Sequence, residues 1–134
     1  MKIRFLGPPA LPAVFFLLVS VPIFAHHGAA SYDISKMTTL KGTVTSIQWM
    51  NPHAEIDMEV KDAAGKPQKY IVESVSPLGL SRIGWTQSAL KEGDQITVTG
   101  NLSKNNSHFI RLKKIVFPTG KELSIMSGED YADQ

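Results

Sequence analysis

The sequence contains no cysteine. Disulfides and thiolate metal sites are therefore excluded, and the fold must stand on its hydrophobic core alone. The sequence also lacks an excess of either charge: 14 Lys and Arg face 12 Asp and Glu over 134 residues. Nucleic acid calls for a basic footprint that such a balance does not supply, so nucleic acid is not an expected partner. No apolar run reaches the roughly 20 residues that a membrane-spanning helix needs. No phosphate loop or nucleotide fingerprint appears, and no Ser-His-Asp arrangement can be argued from spacing. These absences weigh against an enzyme and towards a binding or accessory module.

The first 25 residues read as a cleavable secretory signal. Lys2 and Arg4 form a basic flank, residues 11–24 form a short apolar run, and Pro22 breaks that run just ahead of Ala25, a small residue suited to signal peptidase. Ile23, three places before the cut, is large for that position, and a rival cut after Ala30 would discard two histidines. Cleavage after Ala25 leaves 109 of the 134 residues and takes the 14 basic residues to 12, equal to the 12 acidic ones. The expected product is a periplasmic, neutral domain that is soluble, with no stable membrane span after cleavage.

Residues 26–39 show no periodicity and read as an N-terminal arm. The segment 40–49 is rich in β-branched residues and reads as a strand, and its apolar parity slips between Val44 and Ile47, as at a bulge. Asn51-Pro52 stops it. Ala54, Ile56, Met58 and Val60 then alternate with Glu55, Asp57, Glu59 and Lys61, which predicts a strand with one buried face. Residues 62–67 turn the chain into a third strand at 68–73. Ser76-Pro77 is a helix start, and Gly84 can end that helix. Further strands are expected at 95–100, at 108–117 with a parity slip between Leu112 and Ile115, and at 122–125. Residues 126–134 read as a flexible tail.

Three strands, a helix and then two or three strands is the order of an OB-fold. The predicted architecture is a mainly β, five- to six-stranded barrel over 40–125, with one short helix between strands three and four. An open sandwich-like sheet is the alternative. Closing the barrel removes the exposed edges of a small sheet.

The histidines carry the main chemical signal. Cleavage after Ala25 makes His26 the new N-terminus, where the freed amine and its imidazole can form a two-nitrogen chelate. His27 adds a donor, and His53 follows the Pro52 turn in the first hairpin loop, where OB-folds bind ligands. A nitrogen-only set of this kind suits Cu(II), and less specifically Ni(II) or Zn(II). It resembles the histidine brace of exported copper proteins. His108 has no partner that the sequence places. Trp49, Asn51 and Pro52, with Trp85 after the helix, could line a ligand pocket or dock another periplasmic protein. Two tryptophans that simply cap the core are the plainer reading. Glu55, Asp57 and Glu59 read as a solvated outer face.

Four stretches taken together resemble a family of exported bacterial proteins described as a domain of unknown function. They are Ala25-His26-His27-Gly28 with Tyr32; Leu40-Lys41-Gly42-Thr43-Val44; Asn51-Pro52-His53-Ala54; and Val72-Glu73, Ser76-Pro77 and Gly84-Trp85-Thr86 through to Gly93-Asp94. The resemblance covers residues 25–117. It implies a periplasmic OB-like domain and implies no particular activity. The sequence thus supports a small periplasmic ligand-binding module with copper as its candidate ligand. The alternative is an accessory subunit.

Overall fold

The computed structural model describes residues 31–125. The expected signal, His26, His27 and the tail lie outside the described residues. The chain runs β1 (Thr38–Gln48), β2 (Glu55–Lys61), β3 (Pro67–Glu73), α1 (Pro77–Arg82), a single 3-10 turn (Gln87–Ala89), β4 (Gln95–Leu102), β5 (Phe109–Val116) and β6 (Glu122–Ser124). The sheet order is β3-β2-β1-β4-β5-β6, and β3 also pairs in parallel with β5. That pairing closes the first five strands into a barrel and leaves β6 outside it. This is the OB-like barrel that the strand–helix order predicts, with α1 between β3 and β4.

Each element follows from local chemistry. In β2 the alternation buries Ile56 and Met58 against Val72 of β3, and all three are almost wholly inaccessible. The β2–β3 turn is held by the Asp62 carboxylate, which accepts from the Ala64 and Lys66 amides at 2.9 Å each. Gly65 takes the turn's positive φ of 79°, where any side chain would be strained. α1 opens on Ser76, whose hydroxyl accepts from the Gly79 amide at 3.2 Å, while Pro77 needs no such partner. Gly84 ends it at φ +82°. The helix sends Leu80 into the core, followed by Trp85.

Both parity slips are bulges. In β1, Val44 pairs with Met58 and Ser46 with Asp57, so Thr45 is the extra residue. In β5, Lys114 pairs with Thr99 and Leu112 with Gly100, so Lys113 is the extra one. A bulge bends its strand and sharpens the twist, which is how a short sheet curls far enough to close. Ile96 and Val98 of β4 complete the core with Ile110, Leu112 and Ile115 of β5. The strand limits differ little from expectation. β1 starts two residues early and β4 runs on through Leu102, because the arm and the next loop extend the pairing.

Candidate functional site

Residues 49–54 connect β1 to β2. The Asn51–Pro52 peptide bond is cis. Ala54 is buried and clips this loop to the end of β3: its amide donates to Val75 O at 3.1 Å, and its carbonyl accepts from the Ser74 amide at 2.8 Å. His53 is exposed beside this clip, with Nδ1 3.1 Å from the Ser74 carbonyl oxygen. A carbonyl only accepts, so Nδ1 carries the proton. In the neutral ring the lone pair is then on Nε2. A ring N–H held by a backbone carbonyl is the arrangement that orients metal-ligating histidines. Among the described residues, no three His, Asp or Glu are grouped so as to hold a metal ion.

The acidic row departs from a simple solvated face. Asp57 forms an ion pair with Lys69 at 2.8 Å and its side chain is only 13% exposed. Glu55 is half-buried and directly opposes Glu73 across β2 and β3. Burial holds its carboxyl above the ordinary range, and the nearby Glu73 and Asp57 add to the effect, while His53 opposes it. Like charges in register cost stability, so this pairing is tolerated for some other reason.

That reason involves the arm. Tyr32 is buried at 2% exposure, bridges to Ser103 and hydrogen-bonds Glu73 through its side chain. Arg111 lies over its ring, 5.7 Å from the centroid, and stands opposite Glu73 in the β3–β5 register. Burial, then the charge of Glu73, raises the phenol's pKa far above normal, so Tyr32 stays a neutral donor. The arm is stitched down on both sides of this residue. Asp33 N donates to Leu102 O and Lys104 N to Ser31 O, each at 2.9 Å. The buried Asn101 amide donates to Asp33 O and Lys36 O at 3.0 Å each. Together they border an open cavity of about 230 Å³, lined by Ser31 and Tyr32 of the arm, Glu73 of β3, and Ser103, Asn105, Asn106 and Phe109 of the β4–β5 connection.

The two tryptophans part company. Trp85 is 2% exposed and meets Phe117 edge-on at 5.0 Å. It belongs to the core and has no face to offer a partner, so the binding role that its position after the helix suggests is corrected to a packing one. Trp49 is half-buried on Trp85, with ring centroids 6.4 Å apart. Asn51 and Pro52 are exposed. His108 is also exposed and packs on Tyr70, 4.9 Å between centroids. Sequence reasoning gave no binding role to Tyr32, Arg111 or the Asn105–Asn106 pair. The available signal was Tyr32 itself, the single Phe, Tyr or Trp of residues 26–39 and part of the stretch that carries the family resemblance.

A family model described as DUF6152, a family of unknown function, matches residues 15–110. The chain belongs to that family. No curated protein matches the sequence. Among solved structures, the chain is similar to a deletion mutant of TiaS in complex with agmatine, at 19% identity and a TM-score of 0.46 over 69% of this chain. It spans only 22% of that protein's length. It is also similar to Rim1, the mitochondrial single-stranded DNA binding protein of S. cerevisiae, at 11% identity and a TM-score of 0.41, covering 68% of this chain and 97% of that one. Likenesses this distant carry nothing about what this protein binds. No helix among the described residues is long and apolar enough to cross a membrane.

Proposed function

We propose that the protein is an exported, periplasmic ligand-binding module whose ligand is copper, held by His26, His27 and His53. The observation that carries this reading is the His53–Ser74 hydrogen bond, which leaves Nε2 of an exposed imidazole as its coordinating atom. The position of the arm supports it. Tyr32 hydrogen-bonds Glu73, the register partner of Glu55, which lies two residues beyond His53. His27 lies five positions before Tyr32, and an extended chain covers at most about 3.5 Å per residue. The arm is therefore tethered within a chain's reach of the β1–β2 loop. Amine and imidazole nitrogens favour Cu(II) over most competing divalent ions. Binding weakens in acid, because a ligating imidazole must be neutral.

An exposed amine followed by histidines chelates copper in any peptide, so the test turns on His53. Cu(II) is titrated into the processed protein, into His53→Ala and into a form with one extra N-terminal residue. Both variants are expected to lose about tenfold or more in affinity, the equivalent of 1.4 kcal/mol. Equal affinity for His53→Ala means that the arm chelates alone. Equal affinity in both variants overturns the copper reading.

The second reading, an accessory subunit, is favoured by apolar side chains left in water. Met50, beside Trp49, is 56% exposed, and Leu78 and Ile83 at the two ends of α1 are 61% and 40% exposed. A stoichiometric partner recovered from periplasm, and lost with Met50→Asp or Leu78→Asp, would favour it over copper binding.

A further inference from the structure

The cavity beneath the arm is separate from the β1–β2 loop and independent of any metal. Its walls are fixed by backbone hydrogen bonds rather than by flexible side chains. Ser31 O accepts from Lys104 N at 2.9 Å, Ser103 N donates to Phe109 O at 2.8 Å, and Phe109 N donates to Asn106 O at 3.0 Å. The β4–β5 connection is further braced by the Asn106 side chain, whose Oδ1 accepts from the His108 amide at 3.0 Å. That bond leaves the Asn106 NH₂ group as a donor. The wall is otherwise largely apolar, with the half-buried Phe109 beside the buried Tyr32. Glu73 is the single ionisable side chain of the lining apart from the phenol that donates to it. A mostly apolar pocket with a few convergent polar groups is the usual form of a small-molecule site.

We propose that this cavity binds a small organic ammonium ion, with its charged head on Glu73 and its apolar body against Phe109. The charge balance supports a cation. Glu73 faces Glu55 in register on one side and Arg111 on the other, so the three side chains together carry a net negative charge. A carboxylate makes its strongest hydrogen bonds to charged donors, and aromatic rings attract an alkylammonium by cation–π contact. At about 230 Å³ the cavity has room for a single-ring amine. Ser31, Asn105 and Asn106 stand at the cavity wall to satisfy any further polar group.

The experiment uses processed protein kept metal-free with chelator, so that its outcome is distinct from that of the copper titration. Benzylamine and its neutral isostere benzyl alcohol are titrated by NMR, following the amides of Ser31, Tyr32, Ser103 and Phe109. Benzylamine is expected to shift these amides and to bind roughly tenfold or more tightly than the alcohol, the scale on which a charged hydrogen bond exceeds a neutral one. Glu73→Gln, which keeps the shape of the site and an acceptor for Tyr32, should remove that preference. Asn105→Ala, on an exposed loop, gives a second variant that keeps the fold, and it should weaken both probes alike. Equal binding of amine and alcohol would overturn the proposal, as would shifts that do not map to these residues or an amine preference that survives Glu73→Gln. Binding of benzylamine only after residues 26–30 are removed would also overturn it, since the cavity would then belong to the chain's own arm.

Discussion

Gly100 sits in β4 opposite Leu112, next to the bulge at Lys113. The barrel is drawn so tight there that a Cβ on this residue would lie 2.0 Å from the Arg111 carbonyl oxygen, 2.8 Å from its carbonyl carbon and 3.1 Å from Ile110 Cγ1. Ordinary contacts to a Cβ lie near 3.4 Å or beyond, so Gly100→Ala demands that two backbones separate by more than 1 Å. β4 is hydrogen-bonded on both sides, to β1 and to β5. Neither neighbour can yield without breaking ladder bonds or opening the core around Ile110. Overpacking usually costs about 1–3 kcal/mol, and a backbone clash with no flexible side chain to absorb it belongs at or above the top of that range. The control is Gly65→Ala. Nothing lies within 4 Å of the added carbon there, and only the φ of +79° is strained, so the cost should be about 1 kcal/mol. Urea unfolding at matched m-values measures both. Against a total stability of about 5–15 kcal/mol, Gly100→Ala should be severely destabilised and Gly65→Ala mildly so. Equal losses of about 1 kcal/mol would refute the close approach of β4 to β5.

Three further outcomes follow from the same structure. Ile96→Ala, at 1% exposure in the barrel core, should cost on the order of 2–5 kcal/mol by urea unfolding, and a loss within error would place β4 in the wrong register. Glu55→Gln should be more stable than the parent at neutral pH by a few tenths of a kcal/mol, a small figure because the side chain is only half-buried. Glu55's raised carboxyl pKa means that the folded state takes up its proton more readily than the unfolded chain. That contribution is fully present below the unfolded value of about 4.3 and is lost as pH rises through the folded one. The advantage of Glu55→Gln should therefore fade towards about pH 4, and a gap that widens in acid would contradict the cause assigned to the shift. Finally, the intact mass of protein from periplasm should correspond to residues 26–134. Full-length chain would refute cleavage, and a start at Ser31 would remove the proposed copper ligands.

Whatever rests on neighbours along the chain was legible before any folding was considered. Alternation in β2 told which side faces inward, because successive residues of a strand must point to opposite faces. The parity slips near Thr45 and Lys113 were visible because an extra residue shifts the apolar pattern by one. Ser76-Pro77 and Gly84 marked the helix because capping is a contact over three residues. Tertiary structure decided what depends on separations of tens of residues. Trp85 meets Phe117, 32 positions on, only in the folded barrel. The Nδ1 proton of His53 is set by a carbonyl 21 residues away. The arm is fastened to the barrel because Asn101, 65 residues beyond Lys36, takes up its carbonyls. Glu73 meets Tyr32 and Arg111 only once β3 closes on β5. No local pattern encodes such meetings, because they arise when barrel closure brings distant side chains to one face, and both proposed binding sites depend on contacts of that kind.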